Sequence, residues 1–176
     1  MTEASPVKGG LERIRALAMD VDGVLTDGCF WWGPGGAEWK RFCFADVMGL
    51  SLARRAGLKL ALISGEDSPL VDRYAKKLHI AHVVKGCRDK AAALREFAAA
   101  AGVELADVCY MGDDVNDLPA MQIAGFSAAP ANAAGDVLGR ADFIAKSAGG
   151  SGAVRELIEK LLLARGLVLQ EVLSRH

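Results

Sequence analysis

Cysteine is scarce in this 176-residue chain and never falls in a C-x-x-C pair: Cys29, Cys43, Cys87 and Cys109 stand alone. That spacing excludes the common zinc modules and the thioredoxin-like redox motif. It suits free thiols in a reducing cytosol better than disulfides. The three histidines, His79, His82 and His176, have no acidic or cysteine partner at metal-ligand spacing. No apolar run reaches the roughly 18 residues needed to span a bilayer, and residues 1–10 are polar, without the apolar core of a signal peptide. We expect a cytoplasmic protein with no membrane partner and a flexible lead-in at residues 1–10. Net charge is only −1, and the positive charges are scattered, so nothing calls for a nucleic acid partner. Internal repeats and low-complexity linkers are missing too, which predicts one domain over residues 11–176.

What the chain does have is apolar residues, 52% of the total, ample for a real core. They come as short runs alternating with segments of helical period. Residues 14–19, 58–63, 81–84, 108–111, 126–129 and 142–145 read as strands. Residues 46–56, 68–78, 89–101, 116–124 and 151–173 read as helices, the last broken near Gly166. Asp46 is expected as an N-cap, Pro69 fits a first turn, and Gly57 and Gly102 are stops. Residues 28–44 carry aromatics on both sides of Gly33-Pro34-Gly35-Gly36, a hairpin signal. Strand and helix alternate, so the predicted fold class is α/β: a doubly wound parallel sheet with helices on both faces and no cap domain. Such sheets bind ligands at the carboxyl ends of their strands.

Four polar groups fall at those ends. Asp20-Val21-Asp22-Gly23 follows the first strand, Ser64-Gly65 the second, and Gly112-Asp113-Asp114 a later one, while Lys90 opens a helix. Cleaving a phosphate ester needs an attacking oxygen and a proton for the leaving group. Asp20 can attack phosphorus and form an acyl-phosphate, dividing one hard step into two. Asp22 can protonate the leaving alcohol and later activate water. Two anions would repel without a cation, and magnesium prefers oxygen ligands. Asp20, the backbone carbonyl of Asp22, and Asp113 are the expected ligands, with Asp114 and Asp117 orienting Asp113 and the metal's waters. Ser64 and the Gly65 amide can donate to a phosphoryl oxygen, and Lys90 can neutralise its charge. Each feature alone has a plainer reading as a turn, a helix cap or a surface charge. Those readings leave unexplained that all four occur in order, each at a strand end or helix start.

Together these segments resemble the haloacid dehalogenase superfamily of phosphatases. Only about forty residues separate Asp22 from Ser64, which leaves room for a hairpin and a helix but not for a cap. With Thr26-Asp27-Gly28 leading into the hairpin, the chain is similar to the capless subfamily. That subfamily contains the 3-deoxy-D-manno-octulosonate 8-phosphate phosphatases, the nonulosonate 9-phosphate phosphatases and a phosphatase-like domain of some sialic acid cytidylyltransferases. The stretch 149–156, Gly-Gly-Ser-Gly-Ala-Val-Arg-Glu, also matches. The resemblance implies a magnesium-dependent hydrolase of a 3-deoxy-2-keto sugar acid phosphate, in lipopolysaccharide or sialic acid biosynthesis. It also implies a homotetramer in which four hairpins form a central barrel and a neighbouring subunit covers each site. Phe30, Trp31, Trp32 and Trp39 fit such a contact, since a lone hairpin is marginally stable and bare aromatics form an apolar patch.

Two positions depart from the subfamily pattern. Asp46-Val47-Met48-Gly49 has one glycine fewer than the usual Asp-Gly-x-Gly. Glu66 stands where the octulosonate branch commonly has a basic residue. Glu66 with Lys77 resembles the nonulosonate branch, and Glu66 would accept hydrogen bonds from sugar hydroxyls. Asp46, Arg73 and Arg155 complete the substrate-binding candidates, Arg155 across a subunit boundary. Two other classes compete with hydrolysis: a receiver-like domain phosphorylated on aspartate, and an inactive interaction module.

Overall fold

The first strand alternates large and small side chains, and that alternation decides what packs on each of its faces. The computed structural model describes residues 10–174. The flexible lead-in expected at 1–10 therefore lies almost wholly outside the described residues, and His176 entirely so. The elements run β1 (Ala16–Met19), β2 (Trp31–Trp32), β3 (Glu38–Trp39), α1 (Phe44–Arg55), β4 (Lys59–Ile63), α2 (Pro69–Leu78) and β5 (His82–Val84). They continue as α3 (Lys90–Ala101), β6 (Val108–Met111), α4 (Leu118–Ile123), β7 (Phe126–Ala129), α5 (Gly135–Leu138), β8 (Phe143–Ile144), α6 (Ala153–Ala164) and α7 (Leu169–Leu173). Six strands form one sheet in the order β5-β4-β1-β6-β7-β8, with every pairing parallel.

Leu17 lies between Leu60 and Cys109, and Met19 between Leu62 and Met111. These larger side chains meet Leu50 of α1, Val71 of α2, and Leu157 and Ile158 of α6. On the other face Ala16, Ala18 and Ala61 meet Ala93, Leu94 and Phe97 of α3, with Met121 of α4 and Val137 of α5. Alanine against alanine lets α3 lie close to the sheet, so its first residue reaches the strand ends. Each fully buried Leu, Ile or Met contributes about 1.5–3 kcal/mol by leaving water. Among the described residues, no helix is long and apolar enough to cross a membrane.

The expected strands and helices recur with small boundary shifts, and two differences have physical causes. The N-cap of α1 is Cys43 rather than Asp46. Val47 N–H reaches the Cys43 carbonyl at 3.2 Å, which starts the helix early and leaves Asp46 fully buried inside it. As expected, the long terminal helix is broken near Gly166, into α6 and α7. Helix α5 was not expected, because four residues are too few to display a period. The hairpin pairs Trp31 with Trp39 and Trp32 with Glu38, and a bridge from Thr26 to Phe42 ties its base.

Candidate active site

Asp20 is the first residue past β1, and its N–H still donates to the Met111 carbonyl at 3.0 Å, so the sheet sets its direction. Its Oδ1 accepts from the Val21 N–H at 2.7 Å, and its Oδ2 lies 2.9 Å from Lys90 Nζ. The chain then reverses through Gly23 at φ +88°. A Cβ there would fall 2.0 Å from Asp113 Oδ2, so no other residue lets β6's loop come this close. Fully buried Thr26 ties the turn, its Oγ1 accepting from Gly23 N–H and Gly28 N–H, each at 3.2 Å. From behind, Gly149 packs on the turn so tightly that a Cβ would sit 1.8 Å from the Gly23 carbonyl oxygen. The glycine-rich stretch near the end of the chain is thus a backbone buttress for the Asp20–Asp22 loop.

Lys90 is buried, and its Nζ also lies 2.7 Å from Asp117 Oδ1. Burial opposes its charge, but Asp20 and Asp117 outweigh burial and raise its pKa. A lysine at a helix start works against the helix dipole; here two carboxylates account for it. Asp117 is saturated with donors. Tyr110 OH joins Lys90 on Oδ1 at 2.7 Å, while Asp113 N–H and Asp114 N–H donate to Oδ2 at 3.0 and 3.2 Å. Burial, and then the charge of Asp117, raises the Asp20 carboxyl pKa. Burial, with the charges of Asp20 and Asp117, pushes Asp113 up to about 7.

Oxygens of Asp20, Asp113 and Asp117 lie within 4.8 Å of one another, and Asp113 Oδ1 is buried with no partner. Three crowded carboxylates with raised proton affinity and an orphaned oxygen fit a hard divalent cation. With four donors already on it, Asp117 has no lone pair to spare, so its geometry is that of a group positioning Asp113 and Lys90 rather than a ligand.

Around this cluster opens a crevice of about 580 Å³ lined by Asp20, Asp22, Gly65, Glu66, Asp113 and Asp114, among others. Ser64 lies beneath it, fully buried, its Oγ accepting from the Glu66 N–H at 3.1 Å and keeping its own hydrogen to donate. Arg73 and Lys77 are not on these walls. They line a neighbouring groove with Trp39, Phe42, Phe44 and Tyr74, and Lys77 Nζ sits 5.6 Å from the Phe44 ring centre. Arg155 pairs with Glu159 on its own helix and does not line the crevice. Asp46 is a correction: its carboxylate accepts from Arg155 N–H at 2.8 Å and Gly152 N–H at 3.3 Å. It braces the start of α6 and has no surface left to offer a ligand.

One residue escaped the reading of the sequence. Lys40, just past β3, has a side chain only 3% exposed, with Nζ 2.8 Å from Asp22 Oδ1. A lone lysine in a hairpin carries no motif. The available signal was strand alternation: Trp39 and Arg41 face out, so Lys40 faces in.

Comparison with known proteins gives this geometry a family. Residues 55–157 match the model of the haloacid dehalogenase-like hydrolases. The 3-deoxy-D-manno-octulosonate 8-phosphate phosphatase KdsC of Escherichia coli BL21-DE3 is 37% identical over 163 residues, 93% of this chain and 87% of that one. Among solved structures, the octulosonate 8-phosphate phosphatase of Moraxella catarrhalis, in complex with magnesium, phosphate and KDO, superposes with TM-score 0.86. It is 40% identical, over 89% of this chain and 90% of that one. The Haemophilus influenzae enzyme in its cobalt-bound form gives TM-score 0.86 and 36% identity, over 89% and 91%. Such coverage takes in the Asp20 loop as well as the later strands, and by fold and sequence alike the chain belongs to the haloacid dehalogenase-like hydrolases.

Proposed function

We propose that the chain is a magnesium-dependent phosphatase of a 3-deoxy-2-keto sugar acid phosphate, with the octulosonate 8-phosphate as substrate. The observation that carries the reaction is Asp20 held between the Lys90 ammonium and the uncommitted Asp113 oxygen, at the mouth of an open crevice. The octulosonate assignment is supported by relatives of that activity at 37–39% identity over most of the chain. The Moraxella protein's KDO and phosphate supply the same ligand chemistry. Glu66 alone leans toward the nonulosonate branch.

Asp20 attacks phosphorus as the ester P–O bond breaks, and the leaving alkoxide takes a proton from Asp22. Asp22 then removes a proton from water, whose oxygen attacks phosphorus as the bond to Asp20 breaks. Lys90 holds Asp20 and neutralises charge gathering on the phosphoryl oxygens, while Ser64 and Gly65 donate to them. Asp20, the Asp22 carbonyl and Asp113 would hold magnesium, which orients the phosphate and offsets its charge. The receiver-like and inactive alternatives lose ground to the match with a family of hydrolases. The exposed hairpin aromatics support a homotetramer.

Asp20→Asn should lower magnesium-dependent phosphate release by about 10³-fold or more with the melting temperature preserved; full turnover in that variant would end the nucleophile assignment. Comparing kcat/KM for the octulosonate 8-phosphate and a nonulosonate 9-phosphate checks the substrate.

A further inference from the structure

Asp22 is gripped on one oxygen and free on the other. Oδ1 lies 2.8 Å from Lys40 Nζ, and Thr26 Oγ1 stands 3.5 Å from the same oxygen. Oδ2 is out of solvent and has no partner. Lys40 is in turn 3.8 Å from Glu38 Oε1, and that oxygen accepts from Ser68 Oγ at 3.4 Å. A nearly buried lysine loses hydration that must be replaced by close carboxylates; Lys40 finds its closest one in a member of the reacting pair. The two aspartates of the loop therefore each have their own buried ammonium, Lys90 on Asp20 and Lys40 on Asp22.

The geometry points to Lys40 as the positioning residue of the acid/base. Lys40 holds one oxygen of the carboxyl and stops it from turning about its χ2 bond, a soft torsion without such an anchor. In the first half-reaction the proton leaves the Asp22 carboxyl for the ester oxygen, and in the second the carboxylate takes one from water, so the residue ends as it began. The hairpin that carries Lys40 becomes part of the proton-transfer machinery, although Lys40 touches neither phosphate nor sugar in this scheme.

This rests on Asp22 being the acid/base, and the test separates the two claims. The enzyme is assayed on the octulosonate 8-phosphate, whose alkoxide leaving group needs a proton, and on p-nitrophenyl phosphate, whose leaving group does not. Lys40→Met should lower kcat on the alkyl ester by about 10- to 100-fold, a good part of what a general acid supplies. KM should stay within about twofold, and the aryl ester should lose less than about threefold. Lys40→Gln, which keeps a donor for Oδ1, should recover part of the loss. The Lys40→Met change should add nothing in an Asp22→Asn background. Equal losses on both esters, or a further loss in the Asp22→Asn background, would overturn the role of Lys40. If Lys40→Met does not fold, Lys40→Gln decides by the same ratio between the two esters. If instead Asp22→Asn leaves the alkyl ester unaffected, the acid/base assignment itself falls.

Discussion

Asp113 and Asp20 are held where a carboxylate without a cation is uncomfortable. Burial and the neighbouring acids raise both pKa values, Asp113 to about 7. In metal-free protein the folded state therefore keeps protons that the unfolded chain releases near pH 4. Stability from this source is full below about pH 4 and is lost as pH rises through about 7. The melting temperature of EDTA-treated protein should fall between about pH 5 and about pH 7.5. Magnesium should raise it more at the upper pH, where it no longer competes with protons. Calorimetry at both pH values checks this, and an equal magnesium shift would remove these residues from the ligand set. At this scale Asp20, Ser64, Lys90 and Asp113 were legible in the sequence because each sits at a strand end or helix start. Asp117 was expected to orient Asp113, and the four donors on its carboxylate are what separate such a positioning group from a ligand.

The pairing of α1 with α6 shows what element patterns leave out. An aspartate near a helix start reads as a cap, and a buried carboxylate reads as functional. Asp46 is neither a cap of its own helix nor a wall of the crevice. It receives the Gly152 and Arg155 N–H groups at the first turn of α6, joining elements more than a hundred positions apart. No local pattern could reveal that partner, whereas the strands were readable from their short apolar runs. In Asp46→Asn the amide would turn an NH₂ toward one of those two N–H donors. We expect a loss of about 2 kcal/mol in urea unfolding, in the range for hydrogen bonds to a charged group, with kcat/KM on the octulosonate ester within about twofold. An unchanged unfolding midpoint with a raised KM would return Asp46 to the substrate.

At the scale of the whole molecule, the hairpin carries a cluster of aromatics that its own fold leaves uncovered. Trp32 is 74% exposed, and Phe30, Trp31 and Trp39 are about half exposed, on a hairpin of two-residue strands. Residues of that size contribute to stability only when a partner covers them, and a ribbon this short gains little from its own ladder. The same hairpin carries Lys40 to Asp22, so its burial between copies would steady the acid/base as well as join subunits. Replacing Trp31 and Trp32 together by serine should remove the contact while sparing the core, where neither ring is packed. Light scattering of the wild type should report four times the subunit mass, and the double variant a smaller species. Its kcat on the octulosonate ester should fall more than its kcat on p-nitrophenyl phosphate, because a loosened hairpin releases Lys40 from Asp22. A double variant that keeps the mass of four subunits would place the assembly contact on another surface.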